Sequence, residues 1–182
     1  MALLDLPDDF DLWKLHNALE FVTSFRCAID AGAHRGIWTQ ALLDKFDRVY
    51  SFEPVDELFS QIPNRNRVNC ALGADFDWVG IAPGDRNNGQ GHVVEGNDVK
   101  MVPLDYFDIE EVDFLKIDVE GYEFEVLIGG AHTIYRDKPV ILVEQNGLCE
   151  RYGYKDTDIT ALLEGWGYKQ AGQWHKDVLY VI

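Results

Sequence analysis

The sequence predicts an α/β fold: a doubly wound, mostly parallel sheet of seven strands that ends in a C-terminal antiparallel hairpin. Three observations predict it. Short apolar runs alternate with helical patterns, the signature of a parallel sheet with helices on both faces. Phe114-Leu115-Lys116-Ile117 is nearly continuous in apolar character, as a strand buried on both faces is. The last two strand-like runs lie too close together for a crossover helix and must pair as a hairpin. One domain over residues 1–182 accommodates this, with an N-terminal helical segment at 1–25 and the sheet core at 26–182.

The elements follow in order. Residues 8–24 read as an amphipathic helix, capped by Asp8 or Asp9, with Phe10, Trp13, Leu15, Leu19 and Val22 as its apolar positions. Strand one falls at 26–31, and a helix follows at 37–45. Strand two spans 48–53, after which Pro54 opens a helix near 55–62. Strand three is 66–72. The stretch up to Val99 carries Gly80, Pro83-Gly84, Asn87-Asn88-Gly89 and Gly91, which reads as loops and a weak hairpin. Strand four is 113–118, and the helix at 123–136 is interrupted at Gly129-Gly130. Strand five is 139–145, and a helix at 156–165 starts at the capping run Asp156-Thr157-Asp158. Residues 167–170 and 178–181 are the closing strands, joined by a turn near 173–176.

Charge narrows the function. Thirty-two acids against sixteen bases give a formal net charge of −16, which repels phosphate backbones and anionic membranes. Arg65 and Arg67 form the one tight basic pair, so no basic groove offsets the repulsion and neither nucleic acid nor membrane is an expected partner. No run of eighteen apolar residues predicts a transmembrane helix. The acidic start lacks the basic and apolar regions of a signal peptide. Cys27, Cys70 and Cys149 are odd in number and widely spaced, which suits reduced, packed thiols in a cytoplasmic protein.

The chemistry begins at Ala28-Ile29-Asp30-Ala31-Gly32-Ala33-His34-Arg35-Gly36, an apolar strand that ends in an acid, turns at glycine and opens a helix. Gly32 lets the backbone approach a ligand with no Cβ in the way. A dinucleotide loop wants G-x-G-x-x-G, to admit a pyrophosphate at the helix N-terminus. Here an acid stands where that pattern needs glycine. Asp30 is placed to meet the cationic amino group of S-adenosylmethionine, and His34 to lie beside its carboxylate. Glu53, at the end of strand two, stands where an acid accepts the hydroxyls of a ribose. It is equally placed to cap the helix that Pro54 begins.

Further matches run in a fixed order: Phe52-Glu53-Pro54, Asn69-Cys70-Ala71-Leu72-Gly73, Pro103-Leu104-Asp105, Lys116-Ile117-Asp118-Val119-Glu120-Gly121, Val126-Leu127 with Gly129-Gly130-Ala131, and Pro139-Val140-Ile141-Leu142-Val143-Glu144. With the 30–36 turn, these resemble the FkbM family of S-adenosylmethionine-dependent methyltransferases over roughly residues 26–147. The resemblance implies a class I, Rossmann-like methyltransferase that methylates an oxygen of a small molecule or sugar. It implies a cofactor site at Asp30, Gly32, Ala33, His34, Gly36, Glu53, Cys70, Ala71 and Asp118. His34 departs from the asparagine usual in the family's turn, and Trp38 is bulkier than its usual counterpart. The segment before Val99 is also short, which touches the acceptor more than the cofactor.

Asp118 and Glu120 are the candidate catalytic pair. In an extended strand end, residues two apart face one way, and two close carboxylates push one pKa toward neutrality. Glu120 has an alternative as a salt-bridge partner or cap for the following helix. Lys116 reads as an internal partner for an acid. Asp118, Glu144 and Asn146 are similar to the oxygen ligands of magnesium-dependent catechol-type methyltransferases. Those place an Asp-Asn pair after strand five, against Glu144-Gln145-Asn146 here, so magnesium is not expected and no metal ligands are assigned. Amino-directed DNA methylases carry an Asn/Asp-Pro-Pro-aromatic tetrapeptide after strand four, where this chain has Asp118-Val119-Glu120-Gly121. Two other functions compete: a methyltransferase-like domain that binds cofactor or a partner without turnover, and a nicotinamide oxidoreductase. The absence of a Tyr-x-x-x-Lys dyad speaks against the latter. A homodimer through an exposed edge or the N-terminal helix is compatible with the sequence but not demanded by it.

Overall fold

A computed structural model describes residues 12–83 and 91–182. Phe10, the capping Asp8 and Asp9, and Asn87-Asn88-Gly89 lie outside the described residues. Helix α1 (Leu12–Leu19) precedes β1 (Cys27–Ala31), α2 (Ile37–Leu43), β2 (Arg48–Phe52), the single turn α3 (Asp56–Phe59) and β3 (Arg67–Val68). After β4 (Ala71–Leu72), β5 (Asp77–Pro83), β6 (Gly91–Glu95) and β7 (Val99–Val102), the chain runs into β8 (Val112–Ile117), α4 (Glu123–Gly129) and α5 (Ala131–Asp137). Strand β9 (Val140–Glu144), α6 (Asp156–Gly165), β10 (Lys169–Trp174) and β11 (Asp177–Val181) complete it.

The main sheet has seven strands in the order β10-β11-β9-β8-β1-β2-β3. The pairs from β9 through β8, β1 and β2 to β3 are parallel. The closing hairpin adds a refinement: β11 does not extend the sheet but inserts between β10 and β9, antiparallel to both.

Side-chain alternation gives each face its own core. Ile29, Leu115, Ile117, Ile141, Val143 and Tyr180 pack with Val126, Leu127, Ile134, Ile159 and Leu163 of α4, α5 and α6. On the other face Ala28, Val49, Phe114, Leu142 and Leu179 meet Leu15, Ala18 and Leu19 of α1 and Leu42 of α2. Helix α1 thus packs on the sheet through most of the apolar positions that its periodicity marks. Trp13 is the exception. It is 45% exposed and meets the Trp174 ring edge-on at 6.5 Å.

Two expectations need correction. Strand three is not one strand: after Val68 the chain leaves the main sheet, and the Asn69 amide donates to the carbonyls of Glu53 and Pro54 at 3.2 and 3.3 Å. The region expected as loops and a weak hairpin instead holds most of a second sheet, of order β4-β7-β5-β6. The β5/β6 hairpin is part of it. Ala71, Val79 and Met101 give this sheet a small core of its own, packed against Val93, Val99 and Tyr122. Glycines that suggest breaks there are points of close approach, since a Cβ on Gly96 would fall 2.6 Å from the Gly80 nitrogen.

Candidate active site

A cleft of about 640 Å³ opens at the carboxyl ends of β1, β2 and β8, between the main sheet and the second one. Ligands bind at this edge in open α/β sheets, and the volume lies in the usual range for cofactor and substrate sites. One wall is the turn after β1. The N–H groups of Gly32 and Ala33 both donate to the Phe52 carbonyl at 3.0 Å, and that of His34 donates to Glu53 Oε2 at 2.9 Å. Three successive turn donors are therefore consumed inside the protein. A pyrophosphate would need such donors turned toward it.

Gly32 lines the cleft, and its own packing requires a glycine. Its φ is +78°, and a Cβ would lie 1.8 Å from the backbone oxygen of Asp118. The close neighbour is the backbone just past the end of β8, the strand paired with β1. Gly36 stands at the N-cap of α2, against Pro63, and does not line the cleft.

Glu53 is 5% exposed and lines the cleft. Its Oε1 accepts the Val55 N–H at 3.0 Å, one residue before α3, while Oε2 holds the His34 N–H, so it steadies the entry to α3 without bonding a helical N–H. Burial raises its pKa, against the lowering effect of the two N–H groups and Lys116. Cys70 and Ala71 are buried and continue this wall. Burial pushes the Cys70 thiol up to about 12, so it stays protonated.

Asp30 is not on the cleft wall. Parallel register sets Ser51, Asp30 and Lys116 abreast on the α2 face of the sheet. Asp30 is 0% exposed, accepts the Thr39 hydroxyl at 2.6 Å and lies 3.2 Å from Lys116 Nζ. Its carboxylate holds Lys116. That lysine also donates to the Gly32 carbonyl at 3.2 Å, reaches Asp118 Oδ2 at 3.5 Å and lies over the Trp38 ring. Burial opposes its charge, but Asp30 and Asp118 outweigh burial and hold the ammonium above its ordinary pKa. The internal pairing expected of Lys116 is what it makes.

Asp118, Val119 and Glu120 form the floor. Asp118 and Glu120 do not share an extended strand end, because β8 ends at Ile117 and Glu120 has φ +57° in a bend. Both residues line the cleft nonetheless. Glu144 lines it as well and stands opposite Asp177 in the β9/β11 register. Burial raises its pKa to about 9, and the charges of Asp118, Glu120, Glu123 and Asp177 add to the effect. Asn146 donates to Glu144 and accepts the Leu148 N–H at 2.9 Å, so its amide is committed within the protein. Among the described residues no group of three His, Cys, Asp or Glu side chains is arranged to hold a metal.

Sequence reasoning missed several lining residues. Asp177 carries an ion pair to Lys14 of α1 at 2.7 Å, and both reach the cleft. Ile81, Gly91 and Val93 of the second sheet roof it. The hairpin they form was legible, but its place over the cleft depends on a crossing between sheets that no local pattern marks.

A seven-stranded sheet with its last strand inserted antiparallel, and a cleft ringed by the β1 turn, the β2 acid and the β8 acids, define the Rossmann-like methyltransferase class. The chain belongs to the FkbM methyltransferase family: the family model of the methyltransferase FkbM domain matches residues 30–169. No curated protein matches the sequence. The crystal structure of methyltransferase FkbM from Methylobacillus flagellatus KT is similar, with TM-score 0.60 and 20% identity over 87% of this chain. This chain spans 44% of that protein's length. Precorrin 8w decarboxylase of Methanobacterium thermoautotrophicum shares the fold at TM-score 0.55 and 15% identity, over 97% of this chain and 92% of that one. Precorrin-6y C5,15-methyltransferase of Geobacter metallireducens GS-15 does so at 0.52 and 14%, over 100% and 91%.

Proposed function

We propose that this cleft binds S-adenosylmethionine and that the protein methylates an oxygen of a small hydroxylated molecule or a sugar. The observation that carries the reading is the β1 turn. Its three N–H groups are spent on Phe52 and Glu53, which favours an adenosyl ligand without phosphates over a dinucleotide. The residues fit such a ligand. Glu53 offers a carboxylate at the end of β2, Gly32, Ala33 and His34 a turn beside it, and Cys70, Ala71 and Val119 an apolar surface.

When bound, S-adenosylmethionine supplies an electrophilic methyl group on sulfur. The chain's own residues do the rest. Ile81 and Val93 line the cleft above the turn, and holding donor and acceptor in line can contribute about 7 kcal/mol or more. Asp118, held near Lys116, or Glu120 accepts the proton of the acceptor hydroxyl, worth about 10²–10⁴-fold in rate. Lys14 and Lys116 are matched by Asp177 and Asp30, so neither is left to attract a phosphate-bearing acceptor.

The deciding experiment is calorimetric titration with S-adenosylhomocysteine, with NADH in parallel. Binding of the first alone supports the reading, and binding of NADH or of neither overturns it. Asp118→Asn and Glu120→Gln, tested singly, then locate the proton acceptor. The responsible variant loses about 10²-fold or more in kcat while S-adenosylhomocysteine affinity holds. Full turnover in both would remove the assignment.

A further inference from the structure

The bend that presents Asp118 and Glu120 lies beyond the end of β8 and needs another anchor. That anchor is Glu123. The N–H groups of Val119 and Gly121 converge on one atom, Glu123 Oε1, at 3.1 and 2.9 Å. Glu123 is 2% exposed and does not line the cleft. It opens α4, whose Val126 and Leu127 belong to the main core. A buried carboxylate therefore ties a fixed helix to a bend that carries both candidate proton acceptors.

We infer that Glu123 is a positioning residue: its carboxylate holds the Asp118–Glu120 bend in working geometry, and its protonation loosens that hold. The inference rests on the reading of Asp118 and Glu120 as the proton-accepting pair. Two N–H groups donating to one carboxylate oxygen make charge-assisted bonds, roughly twice as strong as neutral ones. Protonation removes that assistance.

The change falls near neutrality. Burial lifts the Glu123 carboxyl to about 7, against the pull of the Gly121 N–H, its own N–H and that of Val119. The groups that face it are Asp118 from the end of β8, Glu144 from β9, and Cys149 and Tyr152 from the short 3-10 segment Leu148–Tyr152. None of these is a cation that would return the carboxyl to its ordinary range. Sequence spacing is compatible with the contact, since Glu123 lies four and two residues beyond the N–H groups it accepts.

The test follows the Val119 and Gly121 amide resonances of the free protein by NMR on either side of neutral pH. Both should titrate together with a midpoint near 7, and both should be flat in Glu123→Gln, which mimics the protonated acid. At alkaline pH the variant should lose about tenfold or more in kcat. Its S-adenosylhomocysteine affinity should stay within about threefold of wild type, and the rise of kcat through neutrality should flatten. A residue that merely stabilised the fold would lower Tm and leave the shape of that profile alone. Amides that do not titrate overturn the inference, as does a variant with wild-type kcat and profile. The wild-type titration needs no variant and decides the matter if Glu123→Gln does not fold. A wild-type protein that binds no S-adenosylhomocysteine overturns the methyltransferase reading instead, while the amides still report the coupling.

Discussion

Gly32→Ala offers a sharp test of how the cleft is built. Two penalties combine in it. Alanine at φ +78° takes on the left-handed strain of an L-residue, about 1–2 kcal/mol. The added Cβ also falls 1.8 Å from the Asp118 carbonyl oxygen, where 3.0 Å is the practical limit. The ends of β1 and β8 must therefore separate by more than 1 Å, against the 3.0 Å bond from the Asp118 N–H to the Ala31 carbonyl. A total of about 3–5 kcal/mol follows, the range of core clashes and broken buried bonds. For a chain of this size that lowers Tm by roughly 6–20 °C. Gly153→Ala is the matched control, since Gly153 has φ +87° but nothing within 4 Å of the added Cβ. It should lose the strain alone, about 1–2 kcal/mol. Thermal melts of both variants isolate the clash, and calorimetry reads its effect on S-adenosylhomocysteine binding. Equal melting shifts, or a Gly32→Ala protein that binds like wild type, would refute the reasoning.

Three further outcomes are expected. Asp30→Asn leaves Lys116 buried with Asp118 as its more distant counter-charge and should cost about 3 kcal/mol in urea titration; adding Lys116→Met should recover most of that loss. Glu144 has a folded pKa of about 9, above its unfolded value, so its contribution is fully present below the unfolded carboxyl range and lost as pH rises through 9. Wild-type Tm should therefore fall from mildly acidic to alkaline pH, and Glu144→Gln should fall less. Asp105 accepts the N–H groups of His132 and Thr133 at 2.9 and 2.8 Å, capping α5 from outside its own helix. Asp105→Ala should lower stability by about 1–2 kcal/mol with an unchanged m-value.

Elements that depend on local pattern were legible in the sequence. The parallel strands, the helix break at Gly129-Gly130 and the closing hairpin rest on periodicity and turn chemistry, and the structure has them. What escaped depends on contacts between distant segments. Asp30 has the sequence context of a ligand-facing acid, yet cross-strand register gives it to Lys116, 86 positions away, and α2 adds Thr39. The run 66–72 reads as one strand, because nothing local reveals that Asn69 will bind the end of β2 and send the chain into another sheet. Asp118 and Glu120 were found for their position in the chain, while the bend that presents them was not. Several matching segments have structural explanations in this chain: Asn69 and Asp105 hold turns and caps, and a Cβ on Gly129 would meet the Gly73 oxygen at 1.9 Å.

The insertion of β11 has a consequence for the order in which the molecule assembles. The strand that fills the gap between β9 and β10 is the last of the seven to be synthesised. Until the chain has run through Val181, β9 has an open edge and β10 has no neighbour to pair with. Asp177 pairs with Lys14 from 163 positions earlier, so this strand also ties down α1, the first described element. Such long-range closure slows folding. A nascent chain arrested before this strand would expose the β9 edge to pairing with other chains.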